Sequence, residues 1–138
     1  MLEYSNELSA EEYCRLRHAV DWQPIPEEQA LSGILGSDFV IACREAGEIV
    51  GCARIFWDKG YIAYLADVMV KPECQGKGIG KTMVNACLNY IDSQLRPGWG
   101  IKIVIVSAKG KEGFYEKFGF QIRPNAVDGA GMQIWRRG

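Results

Sequence analysis

The stretch E-C-Q-G-K-G-I-G-K-T, Glu73 to Thr82, joins an apolar run closed by Pro72 to an amphipathic run that begins at Ile79. Upstream, Y-I-A-Y-L-A-D-V-M-V (61–70) is apolar on both faces, the pattern of a strand inside a sheet. Downstream, Ile79, Met83, Ala86, Cys87, Tyr90 and Ile91 recur at helical spacing to about Leu95, and R-P-G-W-G (96–100) ends the pattern. I-K-I-V-I-V-S (101–107) then reads as another buried strand. A strand, a helix and a strand of these lengths predict one parallel crossover. With little side chain in the way, the amides of the glycine loop and of the helix's first turn can converge on one anion.

Which anion is a question of spacing. A nucleotide-triphosphate loop needs G-x-x-x-x-G-K-[ST]; Gly80-Lys81-Thr82 supplies its end, but Gln75 stands where the first glycine belongs. The dinucleotide pattern G-x-G-x-x-G fails as well, because Gly76 and Gly78 would require glycine where Lys81 stands. A cradle of four or five amides needs neither pattern. Hydrogen bonds to charged groups contribute roughly 1.5–3 kcal/mol each, enough for micromolar binding of a phosphate group. Lys81 adds a point charge beside it.

The rest of the chain predicts a mixed α/β sheet with helices on its faces. A short strand is expected near Leu2–Tyr4, and Ser9-Ala-Glu-Glu12 reads as a capping box opening a helix to about Ala19. Pro26 with Glu27 and Glu28 starts a second helix that stops near Gly36. F-V-I-A-C-R-E, the turn Ala46-Gly47 and E-I-V-G-C-A-R-I-F-W-D form an expected hairpin. After the second buried strand, K-E-G-F-Y-E-K-F (111–118) reads as a short helix with Gly119 as its left-handed terminator. Two short strands, near Phe120–Arg123 and Met132–Arg136, are expected last. The order is β-α-α-β-β-β-α-β-α-β-β, in one domain spanning 1–138.

Charge and cysteines narrow the function classes. Sixteen basic against 17 acidic residues leave a formal net charge of −1, so no global field draws the chain to nucleic acid or an anionic membrane. No apolar run approaches a membrane span, and the N-terminus carries no basic-then-apolar signal pattern. The five cysteines, an odd count without a C-x-x-C pair, argue against a disulfide framework and a zinc site, so a cytoplasmic protein is expected. Cys14 and His18, at helical spacing, do not make a metal site on their own, and no metal is expected.

Q-G-K-G-I-G (75–80) matches the [Q/R]-x-x-G-x-[G/A] signature of the GNAT superfamily of N-acetyltransferases at Gln75, Gly78 and Gly80. V-M-V-K-P (68–72) resembles the strand end ahead of that loop, and G-F-Y-E-K-F-G-F (113–120) resembles the F-Y-x-x-x-G-F element near the C-terminus of such proteins. The element order agrees, so the resemblance covers nearly the whole chain. It implies a GNAT-like fold and direct transfer of an acetyl group from acetyl-CoA to an amine. The cofactor would lie between two splayed parallel central strands, 61–70 and 101–107. Val68, Met69 and Val70 would meet its pantetheine arm, with the Met69 N–H as donor to the developing oxyanion. Gln75, Gly76, Lys77, Gly78, Ile79, Gly80 and Lys81 would hold the pyrophosphate, and Lys109 and Lys111, where the family pattern is absent, are this chain's own candidates to meet its 3′-phosphate. Many relatives carry an asparagine a few residues before the F-Y pair; here Ala108–Glu112 has none.

Tyr115 matches the family tyrosine near the sulfur. Ordinary values of ~10 for a phenol and ~8.5 for a thiol put proton donation to the thiolate about 2 kcal/mol uphill. The alternative is an aromatic helix face, Phe114, Tyr115 and Phe118, that only packs. Asp67, alone among charges in 61–70, is either the acceptor of the amine's proton or a carboxylate bonded to nearby backbone. Trp22, Arg54, Phe56, Trp57 and Tyr64 are candidates to line the acceptor pocket, for a small-molecule or peptide amine. A homodimer is compatible with the resemblance. The rival functions are a non-catalytic acyl-CoA sensor on the same fold and a nucleotide hydrolase, the latter opposed by Gln75.

Overall fold

The computed structural model describes all residues 1–138. They pack as two compact units, Met1–Val104 and Ile105–Gly138. The first unit holds a five-stranded sheet in the order β1-β2-β3-β4-β5, with β1 Leu2–Ser5, β2 Phe39–Glu45, β3 Glu48–Trp57, β4 Ile62–Val70 and β5 Lys102–Val104. The first four strands run antiparallel in sequence order; short turns join β2 to β3 and β3 to β4, two helices intervene between β1 and β2, and only β5 lies parallel to β4. The β2–β3 turn is closed by two left-handed residues, Ala46 at φ 51° and Gly47 at φ 81°, as a tight hairpin requires.

Three helices cover the sheet: α1 Ala10–Ala19, α2 Glu27–Leu35 and α3 Ile79–Gln94. Helix α1 starts at the expected capping box, with the Glu12 N–H donating to Ser9 Oγ and the Ser9 N–H to Glu12 Oε1. Arg44 on β2 then fixes Glu12 with two hydrogen bonds, 2.9 and 2.7 Å, tying the helix to the sheet. Tyr13 and Leu16 of α1 and Ala30 of α2 pack with Ala42, Cys52 and Met69 on one face. Helix α3 lies on the other face, where Gly51 permits close approach. A Cβ at Gly51 would stand 3.0 Å from the Met69 carbonyl oxygen and 3.2 Å from Ile79 Cγ2.

The second unit contains one short helix, α4 Glu112–Glu116, ended as expected near Gly119, at φ 102°. The two strands expected at 120–123 and 132–136 do not form, and the strand expected over 101–107 stops at Val104, so β5 is an edge strand rather than a central one. Alternating apolar residues make a strand only where a second strand offers a ladder. Residues 120–138 are given none, and Val127, Met132 and Ile134 remain exposed. No helix is long and apolar enough to cross a membrane.

Candidate active site

Strands β4 and β5 pair only from Ile62–Tyr64 to Lys102–Val104. From Leu65 onward β4 is paired with β3 alone, and no strand pairs with its other edge. Halfway along, the register with β3 slips: Cys52 faces Met69 and Arg54 faces Ala66, so Ala53 stands opposite both Asp67 and Val68. Asp67 takes the left-handed conformation, φ 56°, that this bulge demands, and aspartate tolerates it better than most residues.

Three side chains hold the bulge. Arg54 Nε and the Tyr13 hydroxyl both donate to Asp67 Oδ2, at 2.6 and 2.7 Å. Arg54 also donates to the Gly33 carbonyl at 3.1 Å and to Ser37 Oγ at 3.2 Å, so α2 is drawn into the same network. Burial and the neighbouring Asp67 carboxylate push the Tyr13 phenol up to about 12, so it stays a neutral donor at physiological pH. Sequence reasoning singled out Asp67 and Arg54 but missed Tyr13, which reads as one more apolar-face residue of α1. Asp67 Oδ2 is therefore occupied twice, and Oδ1 is the oxygen left for a ligand. Of the other pocket candidates, Phe56 and Tyr64 face each other across β3 and β4 with rings stacked at 5.1 Å, and the Arg54 guanidinium lies over Phe56 at 5.5 Å. Trp22 packs against the core beneath Arg17. Trp57 lies elsewhere, its indole N–H bonded to the Gly60 carbonyl.

The register also decides which amides face the open edge of β4. The Lys71 N–H donates to the Val50 carbonyl on β3 at 2.9 Å. Alternation by two turns the Met69 N–H toward β3 as well, so it is not the oxyanion donor expected from sequence. Val68 and Val70 face the open edge instead. The Val70 carbonyl accepts from Gln75 Nε2 at 3.1 Å, which ties the loop back onto the strand.

The loop passes through a 3-10 turn, Pro72–Cys74, then Gln75, Gly76 at φ 84° and Gly78 at φ 80°. Neither glycine would bring a Cβ within 4 Å of anything, so their role is conformational. Gly78 caps α3 without a side-chain acceptor, and the first turn, Ile79, Gly80 and Lys81, carries no acidic residue. The first capping bond is from the Thr82 N–H to the Gly78 carbonyl, 3.0 Å. Helices α1 and α2, by contrast, each begin with two glutamates. The amides of α3 and its dipole are thus left for an external anion. Lys81 is exposed, whereas Lys77 reaches Glu45 at 3.5 Å and its charge is shared with that carboxylate.

In the second unit, Tyr115 is buried, edge-on to Phe114 at 5.0 Å and Phe120 at 6.0 Å. Burial pushes its phenol up to about 12. Lys111 is the N-cap of α4 and exposed.

The chain matches the family model described as an acetyltransferase (GNAT) domain over residues 36–122. It is 28% identical over 119 residues, 83% of this chain, to an uncharacterised N-acetyltransferase of Pyropia yezoensis, and spans 66% of that protein's length. It is 35% identical over 96 residues, 69% of this chain, to the chloroplastic serotonin N-acetyltransferase 2 of Oryza sativa, and spans 44% of it. In three dimensions it superposes with a TM-score of 0.88 on a probable acetyltransferase from meticillin-resistant Staphylococcus aureus, at 23% identity, over 99% of this chain and all of the other. With a strand bulge, an open edge and an uncapped helix behind a Q-G-K-G-I-G loop, the chain belongs to the GNAT acetyltransferase family.

Proposed function

We propose that the protein transfers the acetyl group of acetyl-CoA directly to the amine of a small acceptor. The observation that carries this reading is the start of α3, where an amide-lined turn is offered with neither a cap nor an acidic side chain. That donor set suits a pyrophosphate, and the bulged open edge of β4 directly precedes it. In this reading the pantetheine arm pairs with β4 along Val68–Val70 as an added strand would. The Val68 N–H, beside the bulge, takes the oxyanion role. One such donor is worth about 3–4 kcal/mol in a tetrahedral transition state.

The acceptor's ammonium is met by Asp67 Oδ1. With Oδ2 bound to Arg54 and Tyr13, Asp67 serves to position and attract the amine, and water takes both protons, one lost by the ammonium before attack and one after the C–N bond forms. Attack forms the C–N bond, the C–S bond breaks, and the thiolate leaves. The role of Tyr115 rests on its motif. A phenol at about 12 lies some three units above an ordinary thiol, so full proton transfer would cost about 4–5 kcal/mol. Tyr115 acts as a hydrogen-bond donor to the departing sulfur rather than as its acid. The five cysteines are all free, as a reducing compartment such as the cytosol keeps them.

Calorimetric titration with acetyl-CoA, with ATP–magnesium as control, tests the cofactor. Binding on the order of micromolar to acetyl-CoA alone is expected, followed by thiol release with an amine panel. Preference for ATP, or no acetyl-CoA binding, overturns the reading. Binding without turnover of any amine would make the protein an acyl-CoA sensor.

A further inference from the structure

Six side chains line up across α1, the loop after it, β3 and β4: Trp22, Arg17, Tyr13, Arg54 and Phe56 alternate ring and cation, and Phe56 stacks on Tyr64. The Arg17 Cζ lies 5.7 Å from the Trp22 ring and 5.8 Å from the Tyr13 ring. Arg54 Cζ lies 6.0 Å from the same Tyr13 ring. Two guanidiniums thus neighbour one phenol, but the group holds one carboxylate, Asp67, and it pairs with Arg54.

Arg17 has no carboxylate within ion-pair distance. Its Nε and one terminal nitrogen both donate to a single neutral oxygen, the Gln23 carbonyl, at 3.0 and 2.5 Å. The other terminal nitrogen donates to the Tyr13 hydroxyl at 3.4 Å. Closing the α1–α2 loop uses three of five N–H donors. Two remain, one on each terminal nitrogen. What stays available to an anion is therefore these two terminal N–H donors, next to the aromatic rings.

We infer that Arg17 receives a carboxylate carried by the acceptor, so that the acceptor is a small amino acid with its amine at Asp67 Oδ1. The inference rests on the acetyl-transfer reading above. The Tyr13 hydroxyl is the common link, donating to Asp67 Oδ2 at 2.7 Å and accepting from Arg17 at 3.4 Å. An anion and a surplus cation two hydrogen bonds apart match an ammonium and a carboxylate separated by a few bonds. A simple alkylamine or arylalkylamine would satisfy Asp67 and leave Arg17 unanswered.

The test pairs each of a series of α-, β- and γ-amino acids with the amine obtained by removing its carboxylate, and measures initial rates of thiol release from acetyl-CoA. At least one amino acid is expected to exceed its decarboxylated partner in kcat/KM by about ten- to a hundredfold, mostly through KM, as paired charge-assisted bonds would give. Arg17→Gln should bring that ratio to within about twofold of unity, and Arg17→Lys, which keeps charge but not the fork, should restore part of it. A loss of rate common to both members of each pair would report a structural role for Arg17 and overturn the assignment. So would decarboxylated amines preferred by the unaltered protein, or acetyl-CoA binding with no amino acid acetylated. Absence of acetyl-CoA binding would instead overturn the acetyl-transfer reading itself.

Discussion

Arg54→Met isolates what holds the β4 bulge. The guanidinium contributes a 2.6 Å bond to Asp67, bonds of 3.1 and 3.2 Å to Gly33 and Ser37, and ring contacts to Tyr13 and Phe56. Methionine keeps much of the apolar stem but none of the donors. Asp67, whose side chain is 14% exposed, would be left with Tyr13 as its remaining donor. Breaking a buried pair from one side costs about 3–5 kcal/mol. Residual solvent contact at both partners places this one at the lower end, near 3 kcal/mol. Urea denaturation at neutral pH reads that loss, and a double-mutant cycle with Asp67→Asn identifies its source. The two single costs should fail to add, with a coupling of about 2 kcal/mol, because removing both charges leaves no orphan. A loss below about 1 kcal/mol, or additivity within about 0.5 kcal/mol, would refute the argument that this pair sets the bulge.

Other consequences follow from the same geometry. Gly51→Ala drives a Cβ to 3.0 Å from the Met69 carbonyl and 3.2 Å from Ile79; an overpacking cost of about 1–3 kcal/mol is expected in thermal or chemical melts. Tyr13 and Tyr115 both titrate near about 12, above the ordinary phenol value. Their protonated forms are favoured by folding, so this contribution is intact below about pH 10 and is lost as pH rises through about 12. Alkaline melts of Tyr13→Phe and Tyr115→Phe should each show a flatter decline over that window. At neutral pH, Tyr115→Phe should lower kcat by about ten- to a hundredfold with acetyl-CoA affinity spared; unchanged kcat in a turnover assay would remove Tyr115 from the chemistry.

Legibility in the sequence tracked how local each determinant is. Ser9 and Glu12 lie within one turn of each other, so the start of α1 could be fixed from the sequence. The α3 start was readable for the same reason, since Gly76, Gly78 and the apolar spacing from Ile79 act within one loop and helix. Asp67 stood out because a lone charge in a buried strand needs an answer, but its partners Arg54 and Tyr13 come from elsewhere in the chain, and nothing local announces them. The bulge carries no sequence mark either. Choosing Met69 over Val68 or Val70 as an outward-facing amide depends on register, which is settled by pairing with β3. The last two strands failed for a related reason: short apolar stretches such as M-Q-I-W-R (132–136) suit a strand but specify no partner for it.

The central claim is that the amides from Gln75 to Lys81, with the open edge at Val68 and Val70, hold acetyl-CoA. Amide chemical shifts of the isotope-labelled protein, followed through a titration with acetyl-CoA, test it residue by residue. The account predicts that the largest changes fall on Gly76, Gly78, Ile79, Gly80 and Lys81, with Val68 and Val70 moving and Met69, turned toward β3, moving less. Saturable binding that leaves these amides in place and shifts another surface would contradict it.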